Sequence, residues 1–178
     1  MGLRHAILVS LSEQSGSGYE LARRFDRSIG FFWRATHQQI YRTLGAMESD
    51  GLVTVTPVRQ RGRPDKKVYD VSEAGRAELA RWIAEPPTGP GADARVRDLA
   101  VKIRGAGFGD VAAVRRHVGA LRAERVARRD VYREMEKRQF PRPAGLRGSA
   151  LHQYLVLRGG IRAEENTIDW LEEVKAAL

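Results

Sequence analysis

The chain has no cysteine. That excludes disulfide frameworks, thiolate metal sites and thiol redox sensing, and it points to a reducing cytoplasm. Aromatic residues make up only 7% of its 178 residues, and methionine occurs three times. No long apolar run is present. The stretch AILVSL (6–11) is too short for a membrane span and is followed by Glu13. It also lacks the small-residue cleavage pattern of a signal peptide. Ala6 stands where a myristoylation signal needs Ser or Thr. The catalytic signatures are missing as well. His5, His37, His117 and His152 form no metal-ligand pair, and no Walker, GxGxxG or GxSxG run appears. GAGFG (105–109) follows no strand, so it reads as a helix break. An enzyme is not expected, nor a cofactor, nor a metal.

What the chain has is positive charge. Its net charge is +9, with 31 Lys or Arg against 22 Asp or Glu. A basic balance favours polyanionic partners and says nothing of fold. The excess is larger in the second half, since residues 1–90 carry 13 cations and 10 acids. The sharpest local cluster, however, lies in the first half. RQRGRPDKKVYD (59–70) places Arg59, Arg61, Arg63, Lys66 and Lys67 around a Gly-Arg-Pro turn, with Asp65 the one acid among them.

The order of elements gives that cluster a setting. LRHAILVSLSE (3–13) has Leu3, Ile7, Leu8 and Leu11 at helical spacing, and SGSG (15–18) ends it. GYELARRFDRSIG (18–30) predicts a short second helix, with FFW (31–33) an apolar connector that includes Trp33. T-H-Q-Q (36–39) fits a capping box opening a third helix. Ile40, Leu44 and Met47 make its apolar stripe, which leaves Gln38, Arg42, Gly45 and Ser49 on the opposite face. Gly51 ends that helix as a left-handed cap. LVTVTPVRQ (52–60) and KKVYDVS (66–72) predict the two strands of a hairpin with a basic tip. Ser72 caps a fourth helix over about 73–85, ended by Pro86 and Pro87.

TGPGAD (88–93) has linker composition, and everything beyond it is helical: 94–105, then about 110–138, then about 148–177. On the long helix, Val111, Val114, Val118, Leu121, Tyr132 and Met135 follow a heptad, which Arg125 and Arg128 interrupt. These arginines are expected to pair with acids such as Glu164, Glu165 or Asp169 across a dimer, or to meet an anionic effector. The last helix carries one stripe of Leu157, Ile161, Ile168, Leu171, Val174 and Leu178. A membrane-surface reading is disfavoured by the mixed polar face (Glu124, Asp130, Glu134, Glu136).

Three helices and a hairpin in about 72 residues is the order of a winged helix-turn-helix. The third helix is then the one that enters a major groove. Its N-terminal end carries Gln38, which can pair with adenine, and Arg42, which can pair with guanine. A basic ribbon tip can lay lysines on phosphates, and Arg63 can enter a narrow minor groove. His37, at the helix start, can touch phosphate or simply stand exposed. Each feature alone is ordinary for a solvated helix face or turn; their order makes the case.

The motifs L-x-x-A-I-L (3–8), G-Y-E-L (18–21), I-Y-R-x-L-x-x-M-E-x-D-G-L-V (40–53) and G-R-P-D-K-K-V-Y-D-V-S-E-A-G-R (62–76) resemble the PadR family of bacterial transcriptional regulators. Val68-Tyr69 stands where the family often has two tyrosines, and Asp70 where it often has a basic residue. The second half resembles, by element order, the helical C-terminal domain of longer members. The resemblance implies a homodimeric DNA-binding repressor on an inverted-repeat operator, released in many members by a small, often aromatic, molecule. It adds Tyr41 to the third-helix candidates and gives Tyr19 a role in seating the second helix or reaching phosphate.

The expected fold is mainly α. It comprises a winged helix-turn-helix (residues 1–87: three helices and a two-stranded wing), a linker (88–93) and a helical dimerisation domain (94–178). The DNA-contacting candidates are Thr36, His37, Gln38, Gln39, Tyr41 and Arg42 on the third helix, with Arg61, Arg63, Lys66 and Lys67 on the wing. The dimerisation candidates are Leu157, Ile161, Ile168, Leu171 and Val174. For Trp170 two readings stand, dimer packing and lining an effector pocket, and Tyr154 joins it as an effector-site candidate. Partners would be double-stranded DNA, a second copy of the chain and a small aromatic effector, with no membrane, in the cytoplasm and on the nucleoid when DNA-bound. Two other readings fit the same residues: a winged helix that binds proteins, and a ligand sensor whose output is not DNA release.

Overall fold

The computed structural model describes residues 2–27, 35–59 and 65–178. The chain divides into two compact units, Met1–Val114 and Arg115–Leu178.

The first unit is built around α1 (Leu3–Glu13). Six consecutive residues of this helix, Ala6 to Leu11, are buried. A helix buried on all sides needs neighbours on all sides. It has them in α2 (Gly18–Arg27), α3 (His37–Ser49), α4 (Glu73–Ala84), α5 (Ala92–Arg104) and strand β3 (Lys66–Val71). Arg24 of α2 closes the end of α1 by donating to the Ser10 carbonyl at 2.8 Å. The unit therefore includes α5 and the 88–93 segment as well as the winged helix.

The capping predicted for α3 is present. Gln39 N–H donates to Thr36 Oγ1 at 3.2 Å and Thr36 N–H to Gln39 Oε1 at 2.9 Å. Ile40, Leu44 and Met47 are fully buried. Gly51 follows the helix at φ +70°, the left-handed conformation that glycine adopts without strain. Ser72 then joins two elements. Its hydroxyl accepts from Gly75 N–H at 3.0 Å to cap α4, and it donates to the Gly51 carbonyl at 2.6 Å.

The wing consists of β2 (Val53–Val58) and β3, antiparallel, with Val53 opposite Val71 and Val58 opposite Lys66. The expected pair of strands is in fact a sheet of three. Gly16 and Ser17 form a short strand, β1, that pairs with Tyr69 and Val68 of β3, so the order is β1-β3-β2. A two-residue strand shows no alternation, so its sequence carries only the signature of a helix break. Pro57 is accommodated because β2 is an edge strand. The tip residues Arg61 and Arg63 lie outside the described residues, as does the connector Phe31, Phe32, Trp33.

The second unit is an antiparallel pair of long helices, α6 (Val111–Gln139) from Arg115 onward and α7 (Gly148–Ala177). Ion pairs run along it in reversed order, from Arg122–Glu172 through Arg133–Glu165 at 2.7 Å to Arg158–Glu136 at 3.3 Å. The two arginines that break the α6 heptad both reach Glu164 on α7, Arg125 at 3.2 Å and Arg128 at 3.5 Å. This pairing lies within the chain. Arg125 and Glu164 are 3% and 5% exposed, so a buried ion pair fills the gap in each helix's apolar stripe. Phe140 packs edge-on against Tyr154, with centroids 5.5 Å apart. Among the described residues, no helix is long and apolar enough to cross a membrane.

Candidate nucleic-acid interface

The exposed side of α3 carries Gln38, Tyr41, Arg42, Gly45 and Ser49. The apolar stripe fixes this orientation: with Ile40, Leu44 and Met47 packed inward, the remaining positions face solvent. Thr36 and Gln39 are exposed too, but both side chains are engaged in the capping box. They hold the helix end in shape and offer less to an external partner. His37 is exposed, with Nε2 3.0 Å from Asp26 Oδ2 on α2. Asp26 thus holds the ring against α2 and sets a carboxylate beside any phosphate that would approach it.

Tyr41 has a specific seat. Its ring lies over Gly18, where a Cβ would come within 2.4 Å of Tyr41 Cε1. The glycine of the G-Y-E-L motif is the space into which the tyrosine of α3 fits. Tyr19, next in that motif, is 59% exposed and carries the Arg23 guanidinium over its ring at 5.9 Å.

The wing lysines stand beside this helix. Ser17, Gly18, Tyr19, Glu20, Tyr41, Lys66, Lys67 and Tyr69 line a cleft of about 610 Å³. Three tyrosines, two lysines and a glutamate are among its lining residues. Burial pushes the Tyr69 phenol up from its ordinary pKa, so it stays neutral and can only take part as a hydrogen-bonding group. Neither lysine stands alone. Lys66 Nζ is 3.4 Å from Glu20 Oε1, and Lys67 Nζ lies 3.2 and 3.3 Å from the two oxygens of Glu48. Sequence reasoning missed both acids, because the partners are 46 and 19 residues apart.

Together these elements present one face with a helix suited to a groove and cations suited to a backbone. No three His, Asp or Glu side chains gather as a metal set among the described residues.

Comparison with known proteins bears directly on this face. Residues 7–81 match the model of the transcriptional regulator PadR-like family, and residues 97–178 match the virulence activator alpha C-terminal family. The Mycobacterium tuberculosis protein named "Probable transcriptional regulator Rv1176c" is 68% identical, over 100% of this chain and 98% of its own. The chain belongs to the PadR family of transcriptional regulators. The negative transcriptional regulator PadR of Bacillus subtilis is 26% identical over 99% of this chain and 97% of its own. A crystal structure of that PadR with operator DNA aligns at 24% identity and a TM-score of 0.45, covering 99% of this chain and 97% of that one. The PadR-like match runs from within α1 to within α4 and so contains every described residue of the exposed α3 face and both wing lysines.

The candidates in the second unit fall elsewhere. Ile161, Ile168 and Leu171 are at most 4% exposed in the single chain, buried within it. Leu157 and Val174 are half-buried, as are Trp170 and Tyr154. The large apolar side chains that this unit exposes are Val131, Leu155 and Val156, at 59%, 57% and 78%. An amphipathic stripe reports that a face is buried, and it does not report whether the burial is within the chain or between chains.

Proposed function

We propose that this PadR-family regulator is a DNA-binding repressor that works as a homodimer on an inverted-repeat operator. The observation that carries this reading is the single face that combines Gln38, Tyr41 and Arg42 on α3 with Lys66 and Lys67 on β3. In this reading α3 enters the major groove, Gln38 and Arg42 address base edges, and the wing addresses the backbone. The name of the B. subtilis relative, a negative regulator, supports repression. Two copies would place their α3 helices about one helical turn apart on the duplex. Their contact would draw on exposed apolar residues of α6 and α7, such as Val131, Leu155 and Val156, with Leu157 and Val174 at its margin. A planar aromatic effector near Trp170 and Tyr154 would release DNA only to the extent that it prefers one arrangement of the two copies.

The test is fluorescence anisotropy of the purified chain with DNA from upstream of its own gene, against a scrambled duplex, at several salt concentrations. Tight, sequence-selective binding with a steep salt slope is expected. Failure to bind any DNA would refute the reading and leave a winged helix whose partner is a protein.

A further inference from the structure

We infer that Glu20 and Glu48 are internal competitors for the wing lysines, occupying in the free protein the places that DNA phosphates would take. The inference rests on the DNA-binding reading above.

Both wing lysines in the described structure point at acids brought by other elements. Lys66 meets Glu20 at the start of α2, and Lys67 meets Glu48 on α3 itself. The two acids differ in how they are held. Glu20 Oε2 accepts from the Ser17 backbone N–H at 2.7 Å and from the Ser17 hydroxyl at 2.8 Å, which leaves Oε1 for Lys66. Those bonds from Ser17, with the lysine added, hold the Glu20 carboxyl well below its usual range, at about 2. It is charged at any pH the protein meets. Glu48 faces Lys67 with both oxygens, from a position on α3 only six residues beyond Arg42.

A carboxylate offers a lysine the same thing a phosphate does: anionic oxygens at hydrogen-bond distance. A duplex of arbitrary sequence has little besides phosphate to offer this protein. To use Lys66 or Lys67 it must displace a carboxylate already seated there, and that carboxylate then remains next to the DNA. The exchange gains little, so sequence-independent binding is weak. For a regulator that must find few operators among a great excess of other sites, weak non-specific binding leaves more protein free to search. Lys66 and Lys67, two of the five cations in that cluster, are accordingly less available to polyanions than the composition implies.

The test uses the full-length chain and a random-sequence duplex, in a salt titration of wild type, Glu48→Gln, Lys67→Gln and the double variant, with Glu20→Gln as a second, independent probe through Lys66. Gln keeps the shape and, at position 20, an oxygen to accept from Ser17. Glu48→Gln is expected to tighten binding roughly fivefold at low salt, the scale of one exposed ion pair, and to steepen the salt slope by about one phosphate contact. In the Lys67→Gln background the gain should vanish. Unchanged affinity and slope for both Glu48→Gln and Glu20→Gln would overturn the inference while leaving DNA binding intact. An equal gain with Lys67 absent would also overturn it, because the acid would then act through the general field. A wild-type chain that binds no DNA would overturn the reading beneath it.

Discussion

Lys102 is fully buried, and it makes stability rise with pH, the opposite of a lysine that gains an acidic partner on folding. It lies on α5 with its ammonium 3.9 Å from the centroid of the Trp82 ring, and it donates to the Trp82 carbonyl. Trp82 is stacked with His5, whose Nε2 is 2.9 Å from Glu78 Oε1. Asp98, one turn earlier on α5, is also fully buried and accepts from the Thr88 backbone N–H at 2.9 Å. Removal from water lowers the lysine's pKa from 10.5 to about 8, with Asp98 and Glu85 favouring the cation and Arg81 opposing it. Below pH 8 the folded and unfolded chains both carry the charge, and the whole burial penalty is present. Between about pH 8 and 10.5 the folded chain releases the proton while the unfolded chain keeps it, so stability rises with pH; above that window the penalty is gone. At 1.36 kcal/mol per pH unit the rise is about 3 kcal/mol. The Trp82 ring favours the cation by up to about 2 kcal/mol when desolvated, so the measured rise should lie between about 1 and 3. The assay is urea unfolding of wild type and Lys102→Met at intervals from pH 7 to 10.5. Subtracting the variant removes every other titration. The difference should grow in favour of wild type as pH rises, and a flat difference would refute the burial of a titrating lysine in this junction.

Two further substitutions probe the joints of the fold. In Gly75→Ala the new Cβ would sit 2.1 Å from the Leu52 carbonyl oxygen, a backbone atom that is itself accepting from Ser72 N–H. The start of α4 must move off the wing, at a cost of about 1–3 kcal/mol or more, read as a lowered midpoint of thermal unfolding. In the second unit, Glu164→Gln removes the buried carboxylate partner of Arg125 and should destabilise by roughly 3–5 kcal/mol, whereas replacing both with Leu and Met should be close to neutral. Equal losses for the single and double variants in chemical denaturation would mean that packing, not charge, holds that contact.

Much of this architecture is legible in the amino-acid order because its causes are local. The Thr36–Gln39 capping box, the Ile40-Leu44-Met47 stripe and the left-handed Gly51 each follow from a few adjacent residues, and each is present in the structure. Nothing in residues 14–18 announces that Gly16 and Ser17 pair with β3, since two residues have no period and the pairing depends on a segment about 50 positions away. Separations of 46 and 19 positions likewise hide the acids opposite Lys66 and Lys67. Asp98 and Lys102 are charged residues whose burial no local pattern announces; they are interior because α5 packs against α1 within the first unit. The α7 stripe was visible as a stripe, and three of its members face inward within the chain.

The proposed function has the exposed face of α3 reading bases while the wing holds the backbone. Arg42→Ala tests it most directly, measured as the ratio of affinities for the upstream duplex and a random one at fixed salt. If Arg42 pairs with a base edge, the ratio falls by about 1–3 kcal/mol, with little change on random DNA. Equal losses on both duplexes would place Arg42 on phosphate and contradict base readout by this helix.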